Sequence, residues 1–198
     1  RSAQERGEKL PDDLIQMASQ LAQTLVTSSD PRTVNSALGI IQEFEIKEAA
    51  PTLIEMALNA SRPGARRRGR QPLPLDALVA ADEAAAVSTF VQLLKNPGYP
   101  SGPRWRMELA IGKMKRPESY EALIQQLRIS SEVVETTLVR GLSRSIGGVR
   151  ALLIAVEQGR LSPRILRDPR VSVNLQYANI PDLDNRLALL VHDLPPEN

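Results

Sequence analysis

Three stretches of this chain can be laid over one another. Ala37-Leu38-Gly39 leads to Ala49-Ala50-Pro51-Thr52-Leu53-Ile54, Glu108-Leu109-Ala110 leads to Tyr120-Glu121-Ala122-Leu123-Ile124, and Thr137-Leu138-Val139 leads to Val149-Arg150-Ala151-Leu152-Leu153. Leu38 and Leu53 stand 15 residues apart, while Leu109/Leu123 and Leu138/Leu152 each stand 14 apart. The last two stretches repeat at a spacing of 29, and the first lies 71 residues before the second. A single pair of short amphipathic helices cannot bury its apolar stripe alone, so such pairs stack and each packs on its neighbours. The expected class is therefore all-α: an α-solenoid of about five helical pairs, with an irregular middle repeat and C-terminal capping helices. A scaffold of this kind acts by presenting surfaces, and its repeats do not by themselves name a ligand.

Composition agrees with thin helix–helix seams. Hydrophobic residues make up 42% of the 198, yet only six are aromatic: Phe44, Phe90, Tyr99, Trp105, Tyr120 and Tyr177. No alternating run of strand formers competes with the helical period. The chain has no cysteine, which excludes disulfides, thiolate metal sites, cysteine nucleophiles and covalent c-type haem attachment within it. No apolar run reaches the roughly 20 residues that cross a bilayer, and none resembles a signal-peptide core. The chain starts at Arg1 without a methionine, and we read it as a segment of a longer protein.

Along the chain, residues 1–9 read as a polar linker, 10–160 as helical repeats, and 161–198 as short helices ending in a capping helix. Leu14, Ile15, Met17, Ala18, Leu21, Ala22 and Leu25 recur at three- and four-residue steps, predicting a helix that buries one broad stripe. Asp30-Pro31 combines an N-cap carboxylate with a proline at the first helical position and starts the next helix, with Val34, Leu38, Ile41 and Phe44 inward. Its partner spans about 47–59. Residues 61–72, rich in arginine, glycine and proline, predict an exposed loop. Helical patterns resume over 75–81 and 84–94 as a degenerate repeat, and residues 96–103 form a second, proline-rich loop. Two clear pairs follow, near 104–114 with 117–129 and near 132–144 with 147–158. Gly147-Gly148 reads as the turn of the last pair, and Gly159 as the residue after its second helix, where positive φ is cheap. Ser162-Pro163, Asp168-Pro169 and Pro181-Asp182 each start a further helix, the last burying Leu183, Leu187, Leu190 and Val191.

The phrases Asp30-Pro31…Ala37-Leu38, Pro117-Glu118-Ser119-Tyr120-Glu121-Ala122-Leu123-Ile124 and Ala151-Leu152-Leu153 resemble HEAT-like repeats. The period of 29 is shorter than the roughly 40–47 of long HEAT repeats and is similar to the short bacterial variety. The C-terminal third resembles a narrower group. Gly148-Val149-Arg150-Ala151-Leu152-Leu153, Glu157-Gln158-Gly159-Arg160-Leu161-Ser162-Pro163, Leu183-Asp184-Asn185-Arg186-Leu187 and Asp193-Leu194-Pro195-Pro196 are similar to large secreted planctomycete-type proteins, the membrane-bound dehydrogenases or haem-binding-domain proteins. In these, HEAT-like repeats precede a c-type cytochrome domain. The resemblance implies a helical spacer in a periplasmic or secreted redox protein. The haem-attachment motif is missing here, so any redox activity would belong to flanking domains.

No catalytic set emerges. His192 is the one histidine and sits at a helix end, where its protonated form suits the dipole. Asp12/Asp13, Asp82/Glu83 and Asp182/Asp184 lie at helix starts, which is ordinary dipole pairing rather than two carboxylates facing across a cleft. No cofactor is called for. The feature that points to binding is basic. Arg62, Arg66, Arg67, Arg68 and Arg70 crowd one loop, and Arg104 and Arg106 flank Trp105 after another. Arginine forks suit carboxylates, and an exposed indole adds a stacking face. The candidate partner-binding residues are therefore Arg66, Arg67, Arg68, Arg70, Arg104, Trp105 and Arg106. The expected role is a non-catalytic scaffold that spaces flanking domains of the same polypeptide or binds another protein. The alternative is a nucleic-acid-binding repeat using the same arginines on phosphates. Trp105 also has a plain structural reading, as a packing anchor between repeats.

Overall fold

The computed structural model describes residues 11–60, 73–96, 99 and 103–192, except the side chains of Arg170 and Val191. Among the described residues there are eleven α-helices and no strand. In order they are α1 (Asp12–Leu25), α2 (Pro31–Phe44), α3 (Ala50–Ala60), α4 (Leu75–Ala81), α5 (Glu83–Lys95), α6 (Arg104–Ile111), α7 (Pro117–Leu127), α8 (Glu132–Leu142), α9 (Ile146–Glu157), α10 (Pro169–Tyr177) and α11 (Leu183–Val191), with 3₁₀ turns at Lys47–Ala49 and Pro163–Arg167. The chain divides within α5 into two compact units, residues 1–89 and 90–198.

In the first unit α1 lies on α2, and α2 and α3 both pack on α4. The Asp30-Pro31 start holds as expected: the Asp30 carboxylate accepts from the Thr33 amide at 2.9 Å and from its hydroxyl at 2.7 Å. Those bonds hold the carboxyl below its ordinary range, with the hydroxyl of Thr33 the larger cause. Val34, Ala37, Leu38 and Ile41 of α2, Leu53 and Ala57 of α3, and Leu75 and Leu78 of α4 are all buried, while Phe44 is half-buried. The first helix departs from expectation. Leu14, Ile15, Met17 and Leu21 are exposed, and only Ala22 is fully buried along the helix, followed by Val26 just past its end. The stripe needs a neighbour on each flank, but among the described residues α1 packs chiefly on one helix, α2, and on the 3₁₀ turn, which cover its apolar face only along an edge.

The second unit carries the repeat. Helix α6 packs on α8, and α7 packs on both α8 and α9. Helix α10 then packs on α8, α9 and the 3₁₀ turn before it, and α11 packs on that same turn. Several side-chain links tie the elements of this unit together. Lys95 Nζ donates to Gln126 Oε1 at 3.2 Å, Asn174 Nδ2 donates to Ser143 Oγ at 3.3 Å, Arg140 Nε stands 3.6 Å from Asp168 Oδ2, and Arg186 Nε donates to Glu157 Oε1 at 2.7 Å. Leu123 and Leu152, the matched leucines of α7 and α9, have no exposed surface, and neither has Leu138 of α8. Leu109, its counterpart in α6, is 38% exposed, because Met107, Ala110 and Ile111 fill that helix's inner face instead.

Gly147 and Gly148 are not the turn between α8 and α9. Both lie inside the first turn of α9, which Ser145 caps by accepting from the Gly148 amide at 3.0 Å. Here glycine answers crowding. A Cβ on Gly147 would meet the Tyr120 ring at 2.6 Å, and one on Gly148 would meet the Leu142 carbonyl oxygen at 2.1 Å. The Tyr120 hydroxyl donates to the Met114 carbonyl and accepts from Ser145 Oγ at 3.4 Å, tying α7 to the start of α9. Gly159 follows the α9 C-cap at φ +67°, the left-handed value expected of it. At the end of the unit Leu183 is buried, but Leu187 and Leu190 are only half-buried and Leu189 is exposed; the side chain of Val191 lies outside the described set.

The Glu157–Arg186 link gives a pH prediction. Two hydrogen bonds from Arg186, at 2.7 and 2.9 Å, hold the Glu157 carboxyl below its ordinary value. A carboxyl whose folded pKa is lowered contributes stability above its unfolded pKa and loses it as pH falls through the folded one. Glu157→Gln is therefore expected to lower the unfolding midpoint slightly at neutral pH and to match the wild type in strong acid. Because the pair is largely exposed, added salt should also shrink the neutral-pH difference.

Candidate partner-binding site

Pro103 leads directly into α6, whose opening turn is Arg104-Trp105-Arg106. One step on, the helix turns inward: Met107 is fully buried and Glu108 nearly so. Glu108 faces Nη2 of Arg144, in the turn after α8, at 3.5 Å, which helps hold α6 in place. With 107, 108, 110 and 111 committed to the interior, positions 105, 106 and 109 fall on the outer face. Trp105 is 53% exposed there, so the packing-anchor reading fails for most of its ring. The Arg106 guanidinium lies over the indole, 5.4 Å from the ring centroid. Such a cation–π contact contributes about 0.5–1 kcal/mol at an exposed site and keeps the guanidinium close to the apolar face. Leu109 stands one turn beyond Trp105 and extends the apolar surface.

Tyr99, which sequence reasoning left as a loop residue, is part of the same neighbourhood. The residue is only 3% exposed, and its hydroxyl is buried without a hydrogen-bond partner. Burial pushes the phenol up to about 12, against the opposing charge of Arg104 and Arg106. The hydroxyl therefore stays protonated and remains a donor. Arg104 Nε is also buried and unpartnered. A phenol O–H, guanidinium N–H groups and an indole N–H are all donors, so the cluster suits an oxyanion. The signal that could have found Tyr99 is an aromatic inside a proline- and glycine-rich loop, whose ring must find cover somewhere.

Several other cations of this unit are engaged differently, although Arg128, Arg150 and Arg164 are exposed like Arg106. Arg140, Arg144, Arg160 and Arg186 each face a carboxylate, of Asp168, Glu108, Glu121 and Glu157 respectively. Lys113, Lys115, Arg116 and Arg167 also have partners. Of the seven arginine-cluster candidates, the structure thus brings together Arg104, Trp105 and Arg106. Arg66, Arg67, Arg68 and Arg70, with Arg62, lie outside the described residues. His192 is exposed at the end of α11, and Asp12, Asp13, Asp82, Glu83, Asp182 and Asp184 sit at helix starts. Among the described residues no helix is long and apolar enough to cross a membrane.

The fold and the site define an all-α protein of sequentially packed helices with an exposed Arg-Trp-Arg turn. No known family, no curated protein and no solved structure matches the chain.

Proposed function

We propose that this protein is a non-catalytic helical-repeat scaffold, HEAT-like in its unit, that holds an acidic protein surface through the opening turn of α6. That surface would belong to another protein or to a flanking domain of the same polypeptide. The observation that carries the reading is the exposed indole of Trp105 with the Arg106 guanidinium stacked on it at the start of α6. Arg104 and Arg106 stand beside an exposed indole with no carboxylate against them among the described residues, whereas Arg140, Arg144, Arg160 and Arg186 are tied to acidic partners. Exposed tryptophan and arginine together are the residue types that dominate binding energy at protein interfaces. Arg66, Arg67, Arg68 and Arg70 join this proposal on sequence alone.

The nucleic-acid reading asks for a row of free cations along a backbone path and several stacking aromatics. The single exposed indole of α6, with Leu109 one turn on, favours protein instead. Trp105 is the chain's one tryptophan, so its emission reports directly on the site. Titration with a peptide of alternating glutamate and leucine is expected to give a saturable change in Trp105 emission. Arg104→Ala with Arg106→Ala should weaken that binding by about 2 kcal/mol or more. A single-stranded oligonucleotide that binds instead, with affinity falling steeply as salt rises, would replace the reading by the nucleic-acid one.

A further inference from the structure

The arginine turn explains the charge of the site but not the hydroxyl beneath it. A buried phenol with no partner is a standing cost, because its lost hydration is repaid by no hydrogen bond. Native structures keep such groups rarely, and a ligand that completes them is one reason to do so. Tyr99 is almost fully buried, its hydroxyl is unpartnered, and Arg104 beside it carries a buried Nε that is unpartnered too. Both orphans are donors, and both belong to the residues that open α6 or just precede it.

We propose that Tyr99 Oη and Arg104 Nε form a carboxylate-binding notch that receives one glutamate or aspartate side chain of an acidic peptide segment. Arg106 stacked on Trp105, with Leu109 one turn on, forms the rim against which the peptide's neighbouring apolar residue lies. The proposal rests on the partner-binding reading and adds the group that is recognised. A carboxylate has two oxygens and takes one bond from the phenol and one from the guanidinium; it leaves neither donor unpaired. Burial keeps the phenol protonated far above neutral pH, so the donor is present throughout the physiological range.

The notch has an unusual consequence, because its two states pull Tyr99 in opposite directions. Tyr99→Phe keeps the ring and removes only the orphan hydroxyl. In the free protein it is expected to raise the melting temperature by about 2–4 °C, since an unsatisfied buried polar group disappears. In binding it removes one hydrogen bond to a charged group, and affinity for the glutamate–leucine peptide is expected to fall about tenfold. A tyrosine kept for packing alone would show the raised melting temperature without the loss of affinity. Arg104→Lys keeps the charge but loses the Nε donor and the fork, and is expected to bind as weakly as Arg104→Ala.

The experiment is peptide titration of the full chain by Trp105 emission, with thermal unfolding of each free variant. The peptide of alternating glutamate and leucine is compared with one in which glutamine replaces glutamate. Weaker binding by Tyr99→Phe together with a raised melting temperature, and no binding of the glutamine peptide, supports the notch. Unchanged affinity in Tyr99→Phe overturns it; if Arg104→Ala still weakens binding, the partner-binding reading stands without the notch. If neither substitution changes affinity, or if no acidic peptide binds the wild type, both readings fall.

Discussion

Leu138→Ala is expected to cost about 3–4 kcal/mol, while Leu109→Ala, its counterpart one repeat earlier, is expected to cost less than about 1 kcal/mol. The two leucines hold the same place in the repeat phrase, 29 residues apart. Leu138 has no exposed surface, and it sits in α8, which has α6, α7, α9 and α10 around it. Truncating a fully buried leucine removes its transfer free energy and leaves a cavity that close neighbours cannot fill, which accounts for about 3–5 kcal/mol in well-packed sites. Leu109 keeps over a third of its surface in water, so truncation there opens no closed cavity. Urea unfolding of the two variants measures the difference. A loss of this size is a large part of the stability of an ordinary domain, so Leu138→Ala should be partly unfolded at moderate denaturant. Equal losses at the two positions would mean that α6 and α8 are buried alike, contrary to the structure.

The second large effect is expected at Gly148. Glycine in a helix is ordinarily a weakness, and replacing it by alanine gains about 1 kcal/mol of helix propensity. Here the new methyl would lie 2.1 Å from the Leu142 carbonyl oxygen and 2.9 Å from Ser145 Oγ. The first of these is backbone and cannot rotate away. Opening the contact means separating the end of α8 from the start of α9 and loosening the Ser145 cap, whose loss alone costs about 1 kcal/mol. Gly148→Ala is expected to lose about 2–3 kcal/mol net, despite the propensity gain. Gly159→Ala, at φ +67° but with no atom near its Cβ, should lose only about 1 kcal/mol. A stabilised Gly148→Ala would show that the α8–α9 corner is looser than the geometry shows.

The helix starts were legible because each has a local device. Asp30-Pro31, Pro117, Ser162-Pro163 and Asp168-Pro169 all open helical segments, and a proline lacking an amide fits the first turn whatever packs around it. The leucine pattern marked buried helix faces at Leu123, Leu138 and Leu152, though not at Leu109. What depends on tertiary neighbours was not. Gly147-Gly148 carries the composition of a turn, and only the closeness of Tyr120 and the Leu142 carbonyl shows why small residues stand inside a helix. The stripe of α1 has a sound helical period, yet nothing in it reveals that α1 packs chiefly on one helix among the described residues. At the candidate site Arg104, Trp105 and Arg106 were legible as a basic–aromatic run. Tyr99 was not, because a missing hydrogen bond is a property of space and leaves no mark in sequence.

The central claim is that an acidic protein segment docks on the opening turn of α6, and hydrogen exchange with and without the glutamate–leucine peptide tests it most directly. The amides of Arg106 and Met107 bond back to the Pro103 carbonyl at 3.0 and 3.4 Å in the first turn of the helix, where opening is easy. The account expects peptide to slow exchange across residues 103–109, with Arg104→Ala abolishing the effect. Protection confined to another segment, or none at saturating peptide, would contradict it.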